Sequence, residues 1–453
     1  MTPLGLTPLG WLGIARLGLV QTALGAIVVL TTSTINRVMV VELALPAMLP
    51  GALVALHYAV QVLRPRWGHG ADIGGRLTPW IIGGMAMLAL GGFGAALAVA
   101  MMASMPVAGL LMSVLAFLAI GIGVGASGTS LLVLLSRRVA DARRPAAATI
   151  VWVMMIMGFI VTAGTAGHFL DPFSMGRLVA VSAVVSLLAF IVSVVAVWGV
   201  EGASPPAPAA GATVPADSFR EALREVWSEP HSRLFAIFIF LSMIAYSAQD
   251  LILEPFAGAV FGYTPGETTK LAGLQHGGVL AGMILVAIVS TLYGNRGPGT
   301  TRFWTVGGCI ASAFALAGLV AAALIGPEFP FRPNVFLLGV ANGAFAAAAI
   351  GAMMRLVNAG NPERAGVRMG LWGAAQGIAF GAGGFLGALA ADIARYLITS
   401  QVAAYATVFA AEGVLFIISA VLADRVASQA RQPASRRPAA PDMPDLALGR
   451  PAE

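Results

Sequence analysis

Residues 68–76 read GHGADIGGR, a short polar turn whose surroundings decide the fold. One apolar run, 46–63, precedes this turn, and a second, 79–102, follows it. Runs of roughly 18–25 apolar residues are long enough to cross a bilayer as helices. The turn therefore predicts two neighbouring membrane-spanning helices joined by a tight loop.

The same pattern recurs along the chain. Apolar residues make up 58% of the 453 residues and charged residues only 10%, against roughly 25% charged in soluble domains. Inside hydrocarbon the backbone must satisfy its own hydrogen bonds, so the apolar runs are predicted to be helices. Twelve spans are predicted, at 12–34, 46–63, 79–102, 107–134, 147–168, 176–199, 233–254, 271–292, 303–325, 333–354, 370–394 and 403–423.

The chain divides into two halves of six spans. Residues 200–217, VEGASPPAPAAGATVPAD, form a Pro/Ala/Gly linker without a packing pattern. A capping-box spacing, Ser218 to Glu221, opens a short amphipathic helix after it. We expect an N-terminal bundle over 1–199, a cytoplasmic linker with this helix over 200–232, a C-terminal bundle over 233–425 and a disordered tail over 426–453.

The two halves share a motif. Trp80-x-x-Gly83-Gly84 begins the third span and Trp304-x-x-Gly307-Gly308 begins the ninth, an offset of 224 residues. Matching motifs at matching topological positions indicate two parallel repeats. Glycine runs such as Gly383-x-x-x-Gly387 in the eleventh span indicate close helix packing or slots for a planar ligand.

The basic residues predict the orientation. With twelve spans both termini lie on one side, and 21 of the 26 Lys and Arg residues fall on that side. The five on the opposite side are Arg37, Arg177, Lys270, Arg332 and Arg395. This asymmetry places both termini in the cytoplasm and explains the basic character of the chain without a nucleic-acid partner.

The turn after the second span resembles the equivalent loop of major facilitator transporters. In that family an acid in this loop caps a helix end and pairs with arginine, so the resemblance implies a latch formed by Gly68, Asp72, Gly75 and Arg76. Ile73 stands where those transporters usually carry arginine, which weakens the analogy. The predicted fold class is an all-α polytopic membrane protein, twelve transmembrane helices in two major facilitator-like bundles.

Polar side chains at membrane depth are costly and are therefore functional candidates. Asn36, Arg37 and Glu42 follow the first span, and Gln249, Asp250 and Glu254 end the seventh, immediately before Pro255. These groups are interfacial residues at proline-terminated helix ends, or they line a central cavity or lateral opening.

A carboxyl within the twelfth span, Glu412, must be protonated or paired, and Arg355 is one candidate partner. Three histidines lie in or at spans: His57 in the second, His276 in the eighth and His168 at the end of the fifth. A neutral imidazole in an apolar bundle can ligate the magnesium or iron of a macrocycle, or it can be a hydrogen-bonded core residue.

Signatures of catalysis are missing from the sequence. We find no phosphate-binding glycine loop, no zinc-type Cys/His spacing, no Gly-x-Ser-x-Gly and no Asp-rich motif for a prenyl diphosphate. The single cysteine, Cys309, excludes an intrachain disulfide. The sequence therefore predicts a protein that is not an enzyme and that holds no metal site of its own.

Three segments resemble the PucC/LhaA family of purple phototrophic bacteria: TTSTINRVMVVELALPAMLPG (31–51), LHYAVQVLRPRWGHGADIGGRLTPWIIGG (56–84) and AQDLILEPFAGAVFG (248–262). The likeness covers roughly residues 14–425. It implies a factor that assembles light-harvesting antenna complexes in the intracytoplasmic photosynthetic membrane, binding or delivering bacteriochlorophyll transiently. Antenna polypeptides are the implied partners, together with the reaction centre core and pigment-synthesis or membrane-insertion machinery.

Two other interpretations stay open. One is a secondary transporter of a small amphipathic solute, which would use an acid such as Glu412 or Asp250 for proton coupling. The other is a membrane scaffold for antenna helices that binds no pigment.

Overall fold

The computed structural model describes residues 9–60, 76–140, 143–202, 224–294, 300–356 and 365–429, and all regular structure in these residues is helical. The helices are α1 (Trp11–Val29), α2 (Met48–Val60), α3 (Thr78–Met102), α4 (Pro106–Arg138), α5 (Arg144–Phe169), α6 (Met175–Val197), α7 (Pro230–Phe261), α8 (Pro265–Tyr293), α9 (Thr301–Ile325), α10 (Phe331–Leu356), α11 (Ala365–Leu397) and α12 (Gln401–Gln429).

Eleven of the helices in the described residues are long and apolar enough to cross a membrane, and α2 is a shorter apolar helix. These helices confirm eleven of the twelve predicted spans directly. The second predicted span, 46–63, is occupied by α2, but its last residues lie outside the described part of the chain. Large apolar side chains such as Leu187 and Leu188 on α6 are more than half exposed, as lipid-facing positions are.

Two helices run further than predicted. α1 continues through two π-helical segments, Leu30–Ile35 and Val38–Glu42, beyond the expected end at residue 34. α7 continues through Pro255 to Phe261, so the expectation that Pro255 ends this helix is wrong. Proline removes only one intrahelical hydrogen bond, and a partner elsewhere in the protein can replace it.

The helices form two bundles with separate apolar cores. The first core spans Ile14 to Val200 and includes one residue of the second half, Leu251, while the other spans Phe235 to Ala423. In the first half α1 packs on α5 and α6, and α3 packs on α4 and α6. In the second half α7 packs on α11 and α12, and α9 packs on α10 and α12. Each helix pair of the first half therefore has an equivalent pair six helices later, which is the arrangement that parallel repeats predict.

The tryptophan–glycine motifs occupy equivalent places. A Cβ on Gly84 would lie 2.6 Å from the backbone nitrogen of Ser127 on α4, and a Cβ on Gly308 would lie 2.9 Å from Phe345 on α10. In each half the second glycine of the motif therefore lets the third helix approach the fourth closely.

The halves meet along two equivalent seams, α2 with α11 and α5 with α8. We call the side where α1 and α7 end the distal side, and the side where α1 begins and α12 ends the terminal side. The distal side is the one predicted to face the periplasm.

Several sequence predictions fall outside the described residues. They are the tail after residue 429, most of the linker, and the latch residues Gly68, Asp72 and Gly75; Arg76 is described and exposed. Of the amphipathic helix, residues 224–228 are described and helical, with Val226 buried and Trp227 exposed.

Candidate functional site

The polar end of α1 lies against the second half. Ser33, Thr34, Asn36 and Arg37 are all buried, although they follow one another closely in sequence. Each π-helical turn adds one residue and rotates the positions after it relative to an α-helix. The residues between and around them are buried as well, so protein rather than lipid surrounds this end of α1.

Asn36 supplies the hydrogen bond that Pro255 removes. The Asn36 Nδ2 donates to the carbonyl oxygen of Leu251 across the boundary between the halves, at 2.7 Å. Leu251 is four residues before Pro255, so its carbonyl is the one that the missing proline N–H would have bonded. The proline within α7 therefore creates an acceptor that the first half occupies.

Two hydroxyl contacts flank this bond. Ser33 donates its Oγ hydrogen to the Glu254 carboxylate. Thr34 and Thr269 share a hydrogen bond of 2.8 Å between their Oγ1 atoms. The π-helical end of α1 is thus bonded to both α7 and α8.

Arg37 is 2% exposed and pairs with Glu42 on its own chain segment. Its Nη2 donates to the carbonyl oxygen of Tyr263, which follows α7, at 2.7 Å. A Cβ on Gly258 would lie 2.9 Å from Nη2, so glycine makes room for the guanidinium. Arg37 thereby ties the end of α1 to the loop between α7 and α8.

Two acids add contacts at the distal rim. The Asp392 carboxylate on α11 accepts the backbone N–H groups of Ala47 (2.9 Å) and Met48 (2.7 Å), and so caps α2 across the boundary. Asp392 also pairs at 3.8 Å with Arg395, which lies three residues later on the same helix. Thr264 donates to Asp171 at 2.8 Å, and Lys270 lies 3.4 Å from the same carboxylate.

Cross-half hydrogen bonds between the described residues therefore gather on the distal side. Of the sequence candidates, Asn36, Arg37 and Glu254 take part in them directly, and Glu42 takes part through Arg37. Sequence reasoning missed Ser33, Thr34, Thr269, Asp171 and Asp392. Only the polar run TTSTINR within an apolar span signalled this contact.

Further from the distal side the seams contain two histidines, of which His57 is buried and His276 is half-buried. His57 on α2 is 3% exposed, its Nδ1 lies 3.2 Å from the Val54 carbonyl oxygen, and its ring lies 4.3 Å from that of Tyr58. Tyr58 stacks on Phe380 of α11 at 5.9 Å, and Phe380 contacts Tyr246 of α7 at 5.7 Å. An aromatic row therefore crosses the α2–α11 seam.

His276 lies in the other seam. Its Nδ1 is 2.8 Å from the Ala272 carbonyl oxygen, and its ring meets the edge of Phe159 on α5 at 4.7 Å. Because a carbonyl oxygen only accepts, Nδ1 carries the hydrogen and Nε2 holds a lone pair. No hydrogen bond to Nε2 is seen from another described residue. His168, by contrast, is exposed at the distal end of α5 and contacts Phe169.

The remaining candidates lie inside the second half. Asp250 on α7 accepts a long hydrogen bond of 3.5 Å from Gln275 on α8. Glu412 on α12 is 3% exposed, and neither carboxylate oxygen has a hydrogen-bond partner among the described groups. Gln249 is fully buried and likewise unpartnered. The side chain of Arg355, the expected partner of Glu412, lies outside the described part.

The glycines of the eleventh span act in packing. A Cβ on Gly383 would lie 2.1 Å from Ser247 Oγ, and a Cβ on Gly387 would lie 2.7 Å from the Ala248 carbonyl oxygen, both on α7. A Cβ on Gly381 would lie 3.0 Å from Tyr58 across the seam. A neighbouring helix therefore fills the space beside each of these three glycines, and no slot for a planar ligand is left there.

The chain is similar to proteins of known family along most of its length. A family model described as "PUCC protein" matches residues 34–431. The chain is 53% identical over 421 residues to "Bacteriochlorophyll synthase 44.5 kDa chain" of Rhodobacter capsulatus, covering 92% of this chain and 96% of that protein. It is 30% identical over 431 residues to "Protein PucC" of the same species, covering 90% of each.

Among solved structures, a peptide transporter of the POT family in complex with sulfate is similar, with a TM-score of 0.69. The alignment covers 94% of this chain and 97% of that transporter, at 14% sequence identity. At this identity the likeness shows the fold alone, which is that of the major facilitator transporters.

Proposed function

Because the chain belongs to the PUCC protein family, we propose that it is an assembly factor for light-harvesting antenna complexes that binds bacteriochlorophyll and delivers it to antenna polypeptides. Two findings support this proposal. The family match extends over most of the chain, and a relative that is 53% identical carries bacteriochlorophyll in its name.

The structural observation that supports pigment binding is the hydrogen bonding of the His276 imidazole. A magnesium macrocycle needs a neutral imidazole nitrogen with a lone pair, held in a fixed orientation. The bond from Nδ1 to Ala272 fixes the ring and leaves Nε2 available, and Phe159 offers an aromatic neighbour in the same seam. When bound, the pigment would place its magnesium at Nε2 and its flat ring within apolar surroundings.

His57 is the second candidate, and His168 is the weakest. His57 is more buried, lies beside the aromatic row of the α2–α11 seam and already has further contacts. His168 is exposed outside the seams. The two seams are equivalent in the repeat, yet His57 and His276 lie in different seams and at different offsets within their helices.

We infer a non-catalytic role, despite the word "synthase" in the name of one relative. The whole sequence holds no Asp-rich motif of the kind that binds a prenyl diphosphate through magnesium. Within the described residues no group of three or more His, Cys, Asp or Glu side chains could hold a metal ion. A carrier needs neither feature.

The location and partners follow from the same proposal. We propose that the protein lies in the inner, intracytoplasmic membrane of a phototrophic bacterium with both termini in the cytoplasm, and the excess of basic residues on the terminal side supports this orientation. Antenna polypeptides would meet the lipid-facing surface, and the reaction centre core or the pigment-synthesis and insertion machinery would lie nearby.

The test is the near-infrared absorption of the protein purified in mild detergent from pigment-making cells. We expect bound bacteriochlorophyll in the wild type and loss of most of it in His276→Leu, because the ligating nitrogen is removed. His168→Leu is the matched control, since it removes an exposed imidazole, and its pigment content should equal that of the wild type.

Other outcomes would contradict pigment delivery through this seam. Wild-type protein that is colourless although it co-purifies with antenna polypeptides would support a pigment-free scaffold. Full pigment content in both His276→Leu and His57→Leu would exclude these imidazoles as ligands.

A further inference from the structure

The interior of the second half contains a carboxyl group that has no hydrogen-bond partner among the described residues. Glu412 lies eleven residues after the start of α12 at Gln401, and at 1.5 Å per residue it is about 16 Å from the distal end of the helix, near mid-membrane. It is 3% exposed on the same face as the buried Phe409 and Phe416. Neither of its carboxylate oxygens has a hydrogen-bond partner among the described residues.

A second carboxyl group faces this region from α7. Asp250 lies at a similar depth, eleven residues before the end of α7 at Phe261, and α7 and α12 pack against each other. A negative charge on Asp250 would oppose the ionisation of Glu412. The Gln275 amide donates to the Asp250 carboxylate at 3.5 Å.

The other titratable groups on the surrounding helices do not neutralise this pair. Arg37 on α1 pairs with Glu42, and Asp392 pairs with Arg395 on α11. The Arg302–Asp424 pair lies at the terminal ends of α9 and α12. At the distal rim Lys270 pairs with Asp171 and Arg332 with Glu267. Further titratable groups on these helices include Tyr246 and Glu254 on α7, His276 on α8, Cys309 on α9, Tyr405 on α12, and His57 and Tyr58 on α2.

An ionised carboxylate in this position would be both unpaired and removed from water, which is strongly unfavourable. The neutral acid avoids this, and two carboxyls that interact electrostatically resist holding two negative charges at once. We propose that Glu412 and Asp250 form a proton-binding site inside the second half, one that takes up and releases a proton while the protein stays folded.

A proton fits this site better than a metal cation. A cation of the sodium or calcium kind needs several oxygen ligands around it. Here the described groups supply two separate carboxylates and one amide, and no set of three metal-binding side chains.

The site is placed to act on the contact between the halves. Asp250 precedes Leu251, the acceptor for Asn36, and lies one helical turn from Glu254, the acceptor for Ser33. Gln275, which holds Asp250, precedes His276 in the α5–α8 seam. Proton exchange at this pair therefore acts on the helices that hold the halves together, and this holds whether or not pigment is the cargo.

The test is infrared difference spectroscopy of the purified, pigment-free full chain in lipid, recorded as the pH is raised. We expect a carboxylic acid C=O band, sensitive to exchange into D2O, that is present at neutral pH and disappears at higher pH while the protein stays folded. Glu412→Gln should remove this band. Asp250→Asn should shift the pH at which it disappears, since the charge on Asp250 no longer acts on Glu412.

Glu328→Gln is the matched control, because Glu328 is exposed in the loop between α9 and α10 and its loss should leave the band unchanged. The wild-type titration needs no variant, so the result does not depend on how well the variants fold. Absence of the band, its survival in Glu412→Gln, a titration unaffected by Asp250→Asn, or displacement of the proton by sodium ions would each overturn the proposal.

Discussion

Asn36 shows how far a single residue can be read from sequence. The sequence places an amide at the end of an apolar span, and membrane energetics marks it as a functional candidate. Its partner could not be predicted, because the Leu251 carbonyl becomes an acceptor only where α7 continues past Pro255 and meets α1. The sequence does contain a sign of this acceptor, because a proline inside an apolar span leaves the carbonyl four residues earlier without its helical donor.

This reading predicts coupling between Asn36 and Pro255. Asn36→Leu should lower the free energy of unfolding by about 1–3 kcal/mol, since it leaves the buried Leu251 carbonyl without a donor. Pro255→Ala restores a backbone N–H for that carbonyl, so the double variant should recover about 1 kcal/mol of the loss. Denaturation in detergent followed by helical circular dichroism measures all four proteins of the cycle.

A matched control separates this coupling from general effects of Pro255→Ala. Asn334 on α10 donates to the Ala315 carbonyl oxygen on α9 at 2.9 Å, and no proline lies four residues after Ala315. Asn334→Leu and Pro255→Ala should therefore be additive. Equal coupling in both cycles would show that the freed carbonyl is not the cause.

At the scale of the helices, sequence reasoning succeeded where hydrophobic runs have clear ends. The predicted span 79–102 agrees with α3, Thr78–Met102, to within one residue. It failed for α1, whose polar end is bonded to the other half, and for α7, which continues through the apolar residues 255–261 until Gly262 ends it in a left-handed conformation. Hydrophobic periodicity could not predict the π-helical segments of α1, because these segments are bonded to the other half of the protein.

Some glycines lie in a closely packed seam between helices, whereas others have open space beside them. A Cβ on Gly51 of α2 would lie 2.9 Å from the Ala388 Cβ and 3.4 Å from the Phe385 Cα on α11, whereas nothing lies within 4 Å of one on Gly83. Gly51→Val should therefore destabilise the protein by about 1–3 kcal/mol through overpacking of the α2–α11 seam.

Gly83→Val on α3 is the control, since the change in helix propensity is the same and no neighbour is displaced. Thermal unfolding followed by fluorescence-detected size-exclusion chromatography measures both variants. A larger loss for Gly83→Val than for Gly51→Val would show that the seam is not closely packed at this point.

Across the whole molecule, the duplication explains why sequence reasoning recovered the architecture. The offset of 224 residues between the tryptophan–glycine motifs corresponds to equivalent packing of α3 on α4 and α9 on α10. Function does not follow the duplication: the half-buried Asp250 and the buried Glu254 and Glu412 belong to helices of the second half. The first half instead provides the donors Ser33, Asn36 and Arg37 at the boundary.

The two halves therefore have different roles in the proposed functions. The second half holds the proton-binding pair and His276, and the first half closes against it on the distal side. Sequence alone could not assign these parts, because no motif marks which side chains meet across a boundary formed only in the folded protein.

The most direct test of the central claim is the near-infrared absorption spectrum of membranes from the source organism after deletion of this chain. We predict that bacteriochlorophyll is still made while the antenna bands fall, and that the wild-type chain restores them but the His276→Leu variant does so only weakly. Loss of all bacteriochlorophyll would instead indicate a biosynthetic enzyme, and unchanged antenna bands would contradict a role in antenna assembly.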